Sequence, residues 1–452
     1  MEINKNHTFY KMLLAIAVPI AIQSFFSTSL NIVDSLMVGG LQEEALAAVG
    51  LANQYYYFFI LIVFGICSGS ATFTAQFWGN KDIKNIKRIL GVVLLSCGII
   101  SIIFALGAMI MPNYIMSIFI KDSKTIELGS AFLRIISVSY IITSISFAYS
   151  ASCRSIGETK AIMKASTLSL LCNTILNYIL IYGKFGMPAM GVSGSALATV
   201  IARIVELILI LRFVYKNKTP LNANLQELLN ISKEFVIKFY RTTLPVIFNE
   251  ALWSLGIIIY SIAYGRISIE AVAAIQICNA VQNLFMIVAK SISTASAVMI
   301  GNRIGENDNE SVRVYVRNFS KLSISLGIIT GILMALLSPA FVNLYNIKPE
   351  VKLETIRTLY VICMYLSVKF FNITMVVGFF RSGGDTTFAC FLDAGTVWLI
   401  GIPLAFLSVL VFKLPLHWVV ALLSLEEVVK SLIGARRIKS YIWMRNVIQD
   451  MG

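Results

Sequence analysis

Long apolar runs separated by short polar connections dominate this chain. Ile89 to Met111, Leu168 to Tyr182, Leu322 to Leu337 and Val397 to Phe412 are nearly free of charge. With flanking Ser, Thr and Gly they reach the roughly 20 residues that carry an α-helix across a bilayer. The pattern predicts twelve spans, over residues 12–38, 46–76, 88–111, 131–152, 162–183, 191–214, 240–264, 271–298, 318–340, 356–380, 387–412 and 415–434. The most polar stretch, 215–240, lies between the sixth and seventh. There Leu225, Leu228, Leu229, Ile231 and Phe235 recur among Lys, Glu and Asn, a spacing that predicts an amphipathic surface helix. The expected organisation is an N-terminal six-helix bundle over 1–214, a linker over 215–240, and a C-terminal six-helix bundle with a short tail over 241–452.

The two bundles repeat one another. Ala45-Leu-Ala-Ala-Val-Gly-Leu-Ala-Asn53 aligns with Ala271-Val-Ala-Ala-Ile-Gln-Ile-Cys-Asn279 at an offset of 226 residues. At the same offset Pro19 meets Pro245, and Gly79-Asn-Lys-Asp82 meets Gly305-Glu-Asn-Asp308. Arg154-Ser-Ile-Gly-Glu-Thr159 meets Arg381-Ser-Gly-Gly-Asp-Thr386 at 227. Matches in one register point to duplication of a six-span unit. Six is even, so both copies enter the membrane in the same direction, as parallel repeats. The fold class is all-α: a polytopic membrane protein of twelve transmembrane helices in two pseudosymmetric bundles. In the Arg-Ser-x-Gly-acid-Thr turns, Gly supplies the bend, and the acid with Thr is expected to cap the next helix.

Composition agrees with the periodicity. The chain is 58% hydrophobic and 13% charged, too little charge to cover a soluble surface of this size. The first span is expected to remain in the mature protein, because it is too long for a signal peptide and no small-residue cleavage site follows it. The net charge of +14 suggests a nucleic-acid partner only until its distribution is read. Alternate connections and the two termini hold 24 Lys and Arg against 8 in the opposite set, which places both termini in the cytoplasm. The seven cysteines stand singly, mostly within spans, and read as packing residues. No GxxxxGK[ST] phosphate loop, HExxH or GxSxG occurs, and His7 and His417 are the only histidines. These absences argue against direct use of ATP and against hydrolase chemistry.

Charge inside the spans is rare and therefore informative. Asp34 and Glu250 each sit within an apolar span, where a carboxyl usually faces a partner or a water-filled cavity and serves function. At the repeat offset Asp34 meets Tyr260 and Glu250 meets Ser24, so each acid belongs to one copy only. Such a group can hold a proton, exchange it for a cationic substrate, or bind Na⁺ through its oxygens. Near Asp34 the sequence offers Asn173 and Asn177, four apart and hence on one helix face, with Asn53, Gln54 and Tyr55–Tyr57 in the second span. In the second half Gln276, Asn279, Gln282 and Asn283 form a polar stripe near Glu250, and Trp253 either packs against its neighbours or offers a flat face to an aromatic cation. Asp393 is a third candidate acid. Arg203 with Glu206, and Glu426 or Glu427 with Lys430, are spaced to neutralise one another on their own helices. Lys290 and Lys369 have no local partner and are expected to pair across the bundle, with Asp393 or Glu250.

A series of ordered elements runs along nearly the whole chain: Asn31-Ile-Val-Asp34 with Gly39 and Ala47-Ala-Val-Gly50, Ala75-Gln-Phe-Trp-Gly79, and Cys172-Asn-Thr-Ile-Leu-Asn-Tyr-Ile-Leu-Ile-Tyr-Gly183. They continue with Pro188, Gly191-Val-Ser-Gly-Ser-Ala-Leu-Ala-Thr199, Pro245 with Glu250, and Arg381-Ser-Gly-Gly-Asp-Thr386 leading to Asp393, Trp398 and Pro403. In their order and spacing the chain resembles the multidrug and toxic compound extrusion family of secondary exporters. The resemblance implies a cation-coupled antiporter that exports amphipathic, mostly cationic compounds across a plasma membrane by alternating access. It gives Asp34, with Asn173 and Asn177 beside it, the ion-coupling role for H⁺ or Na⁺. Glu250 takes the place of the second-bundle acid. One departure is visible: where some members carry another acid in the tenth span, this chain has Lys369, Phe370 and Asn372. No cofactor beyond the coupling ion, no nucleic acid and no ATP are expected. The expected partners are organic cations and the bilayer, and the working form a monomer. The alternative reading is a flippase for lipid-linked or lipid substrates, which a basic cavity would favour.

Overall fold

The computed structural model describes residues 2–41, 43–345, 347–449 and 451, whose regular structure is helical, with no strand among them. The side chain of His7 lies outside the described residues. In the first half the helices are α1 (Glu2–Gly39), α2 (Glu43–Gly79), α3 (Ile83–Ile110), α4 (Pro112–Phe119), α5 (Ser123–Ser155), α6 (Thr159–Tyr182) and α7 (Gly191–Lys216). After the short α8 (Leu225–Leu229), the second half holds α9 (Lys233–Gly265), α10 (Ile269–Gly305), α11 (Asn309–Asn343) and α12 (Pro349–Ile373). It ends with α13 (Thr386–Thr396), α14 (Ile402–Phe406), α15 (Leu416–Leu423) and α16 (Leu425–Ser440).

Ten of these helical stretches are long and apolar enough to cross a membrane. The other two of the twelve expected spans fall on α7 and on α15 with α16, which are separated by a break at Ser424. Pro19 and Pro245, repeat mates, both stand inside long helices, α1 and α9. Widened π-helical turns continue α12 through Thr374–Arg381 and interrupt the eleventh span at Val397–Gly401 and Leu407–Val411. Such turns concentrate near functional positions.

The linker is not one amphipathic helix. Helix forms only in α8 and again from Lys233, because Pro220 and the Asn residues around it favour turns. A reciprocal cap fixes the start of α8: Asn224 accepts from the Glu227 N–H at 2.8 Å, and Glu227 accepts from the Asn224 N–H at 2.9 Å. Lys87 at 2.7 Å, together with that N–H, holds the Glu227 carboxyl below the usual carboxylate range.

The repeated turn motifs divide their labour differently from the expectation. Asp82 and Asp308, the repeat-related acids of the Gly-Asn-Lys-Asp and Gly-Glu-Asn-Asp turns, cap α3 and α11 by accepting from the Asn85 and Ser311 N–H groups, both at 3.1 Å. Glu158 and Asp385, expected to cap, form no side-chain cap bond. The Asp385 carboxylate is drawn instead to Arg437 at 2.8 Å and Arg445 at 3.1 Å.

The chain forms two compact units. The N-terminal unit comprises Val18–Thr74 and Lys81–Phe239, and the C-terminal unit comprises Met1–Ala17, Ala75–Asn80 and Tyr240–Gly452. In the N-terminal unit α7 packs on α5 and α6, and α5 on α3. Phe59 stacks on Tyr140 with ring centroids 4.9 Å apart, at the centre of an aromatic cluster. In the C-terminal unit α10, α11 and α12 form the centre, around Val281, Met334, Leu366 and Phe370. The segment after α16 folds back there. Trp443 is fully buried, and Gln76 is bonded by its amide to the carbonyls of Ser382 (2.9 Å) and Arg445 (3.1 Å) and to the Val447 N–H (2.9 Å).

Within this unit Gly79 and Gly305, repeat mates, permit a symmetric crossing of two helix ends. A Cβ on Gly79 would run into the Asn302 carbonyl, and one on Gly305 into the Gln76 carbonyl. Gly305→Ala should therefore force the helices apart and destabilise the unit by about 1–3 kcal/mol, measurable as a lowered melting temperature in detergent. An unchanged melting temperature would show that the crossing is loose.

Candidate functional site

Asp34 lies near the end of α1, half-buried in the N-terminal unit. The end of α1 is tied to α6 by Tyr182, whose hydroxyl donates to the Met37 carbonyl at 2.8 Å. That tie brings the polar face of α6 to the carboxyl. Thr174 Oγ1 lies 3.5 Å from Asp34 Oδ1, and the Asn177 side chain also contacts the acid. Asn177 and Asn173, both buried, are joined at 3.4 Å as their spacing requires. Asn173 donates onward to Thr199 Oγ1 on α7 at 3.3 Å, and that hydroxyl donates to the Ser195 carbonyl. The Asn177 Oδ1 is buried without a partner among the described residues. A carboxyl group, the Thr174 hydroxyl and the Asn177 amide thus lie together, with Asn173 and Thr199 further along the same chain of hydrogen bonds. These oxygens suit a proton or a small hard cation. Thr174 and Thr199 were not singled out in the sequence; both stand within its motif stretches, Thr199 closing one of them.

A second network occupies the C-terminal unit, and it differs in kind. Glu250 on α9 is bound to Arg381 Nη1 at 2.7 Å, with Arg381 only 5% exposed. Asp393 on α13 is bound to Lys430 Nζ at 2.8 Å and accepts from Asn249 Nδ2 at 3.1 Å. Lys430 also lies 3.6 Å from Glu427, which accepts from Asn372 Nδ2 at 2.7 Å. Glu426 is engaged by the Tyr260 hydroxyl and lies within electrostatic reach of Lys369. The expectation that Lys290 or Lys369 would neutralise Glu250 or Asp393 is overturned, because Arg381 and Lys430 hold those places. Arg381 was hidden by its position in a turn motif. The local Lys430–Glu427 pairing was legible from its spacing, as was Arg203–Glu206, which forms at 2.8 Å.

The remaining candidates lie on accessible faces of the same unit. Gln276, Asn279 and Asn283 are exposed along α10, Gln282 is half-buried, and Trp253 on α9 is 41% exposed. In the N-terminal unit Asn53, Gln54 and Tyr57 are exposed on α2. The seven cysteines are free thiols.

Comparison with known proteins fits this architecture. The chain is 24% identical over 451 residues to the Bacillus subtilis "Uncharacterized transporter YisQ", covering 98% of this chain and 96% of that protein. It is 24% identical over 392 residues to the "Probable multidrug resistance protein YoeA" of the same organism, covering 86% and 84%. The crystal structure of a Vibrio cholerae MATE transporter, VcmN, superposes with a TM-score of 0.89 at 16% identity, covering 98% and 99% of the two chains. The family model MatE matches residues 19–179 and again 245–407. Those matches begin 226 residues apart, the register in which the sequence repeats. With both copies of the family unit present in a fold of two six-helix halves, the chain belongs to the MatE family of multidrug and toxic compound extrusion membrane transporters.

Proposed function

We propose that this protein is a cation-coupled antiporter, driven by H⁺ or Na⁺, that exports amphipathic and mostly cationic organic compounds by alternating access. Relatives named as multidrug resistance proteins support export. The observation that carries the coupling is the Asp34 carboxyl set among Thr174, Asn177, Asn173 and Thr199.

In the cycle, the outward-open state takes up an ion at Asp34, with the Asn177 and Thr174 oxygens completing its surroundings, and this favours release of the organic compound. The inward-open state gives the ion up and accepts the next one. Coupling requires that the ion bind the two states with different affinity. Glu250 and Asp393, each held against a basic side chain, brace the C-terminal unit and keep its buried polar groups in register. The excess of Lys and Arg in alternate connections supports both termini lying on the cytoplasmic face of the plasma membrane.

The test is dye transport in proteoliposomes under an imposed H⁺ or Na⁺ gradient. Accumulation should follow one gradient and reverse when that gradient is reversed. Transport indifferent to both gradients would contradict the proposal.

A further inference from the structure

The two positions that meet at the Asp34 site meet again in the second copy, with different residues. Asp34 and Thr174 come together in the N-terminal unit. Their repeat mates are Tyr260, at an offset of 226, and Gly401, at 227. These two touch in the C-terminal unit, where a Cβ on Gly401 would fall on the Tyr260 hydroxyl. Gly401 closes the widened π-helical turn Val397–Gly401. The space left by its missing side chain is filled by a carboxyl from a third helix. Glu426, in the first turn of α16, accepts from the Tyr260 hydroxyl and lies against Gly401. Each copy thus keeps one carboxyl and one hydroxyl at this place, supplied from different helices.

Glu426 is unlike the other acids around it. Glu250 is fixed to Arg381, and Asp393 and Glu427 share Lys430. Glu426 and Tyr260 are each 5% exposed, and among the described residues Glu426 forms no ion pair. The groups that face it are Tyr260 and Tyr264 from α9, Lys369 from α12, and Glu427 and Lys430 from α16. Asp393 of α13 meets Lys430, the turn Val397–Gly401 brings no titratable group, and His417 of α15 is held by Glu354. Three carboxyls (Asp393, Glu426, Glu427) therefore stand against two ammonium groups (Lys430, Lys369). One proton balances the count. A buried carboxylate beside other carboxylates is costly, and a proton removes that cost. The hydroxyl partner suits both forms, because it donates to a carboxylate and accepts from a carboxylic acid. Arginine and lysine, which hold the other acids, can only donate.

We infer that Glu426 is a second proton-binding site, and that its protonated form is the one in which the C-terminal unit supports turnover. The inference rests on the transport reading for its readout and leaves the coupling ion at Asp34. Asp34 is half-buried and Glu426 is enclosed, so the Glu426 proton is not exchanged in each cycle and supplies no driving force. Steady pH instead sets the fraction of competent molecules. Loss of the proton puts an unbalanced charge at the Tyr260–Gly401 contact and loosens α16 from α9 and the eleventh span.

The test is ethidium counterflow in proteoliposomes held at the same pH on both sides, which needs no ion gradient. Wild type is compared from acidic to alkaline pH with Glu426→Gln, whose amide is permanently neutral. The two rates should match at acidic pH. Above the Glu426 midpoint the wild-type rate should fall, relative to the variant, by about tenfold per pH unit, the slope of one proton. The carboxylic-acid C=O infrared band that is lost in Glu426→Gln should fade from the wild type over the same pH range. A purely structural acid would not tie that band to the rate. Melting temperatures in detergent check that the variant is folded. Parallel pH profiles, or a wild-type band that persists while the rate falls, would overturn the inference. Counterflow titrated by Glu426 without gradient-driven accumulation would leave this inference standing and remove the coupled-antiport reading. Accumulation with parallel pH profiles would do the reverse.

Discussion

Replacing Lys430 with methionine is expected to destabilise the C-terminal unit by about 3–5 kcal/mol, lowering its melting temperature by on the order of 10 °C. Lys430 is 3% exposed and its ammonium serves two carboxylates at once, Asp393 at 2.8 Å and Glu427 at 3.6 Å. Methionine fills a similar volume but leaves both acids without that cation in a poorly hydrated site. The cost is the desolvation of stranded charge, larger than the worth of the pair itself. The double variant Lys430→Met with Asp393→Asn removes one charge of each sign and keeps a side chain for Asn249 to contact. It should recover most of the lost stability. Recovery of less than half would mean that Lys430 acts mainly through Glu427 and Glu426.

Asp34→Asn should behave in the opposite way, with little change in stability and a large change in transport. The amide occupies the same volume and can still meet Thr174 and Asn177, so the end of α1 keeps its place. What it cannot do is change charge or bind a cation as a carboxylate. A membrane potential of 100 mV supplies about 2.3 kcal/mol per charge, which supports an accumulation ratio of about 50 for one net charge per cycle. Without an ion that distinguishes the two states, the ion-driven part of that ratio should vanish, and substrate should merely equilibrate in its own electrochemical gradient.

These two cases show how far the sequence could be read. The twelve spans, the duplication and the three intramembrane acids were legible because apolar length and rare charge are one-dimensional signals. The Asn173–Asn177 face followed from helical spacing and is joined at 3.4 Å. The counter-ions were not legible. Arg381 is 131 positions from Glu250, and Lys430 is 37 from Asp393, and no helical period connects residues on different helices. The reading of Lys290 and Lys369 as those partners failed for that reason. Asp385 does not cap its helix because Arg437 and Arg445, the latter 60 positions away, claim its carboxylate. The linker was misread as one helix because its hydrophobic spacing is helical while Pro220 and its Asn neighbours favour turns.

The measurement that bears most directly on ion coupling at Asp34 is gradient-driven accumulation in proteoliposomes, wild type beside Asp34→Asn, each checked for folding by its melting temperature. The wild type should concentrate dye along one imposed ion gradient, and the folded variant should reach only equilibrium. Equal concentration by a folded Asp34→Asn protein would show that the driving ion is bound elsewhere.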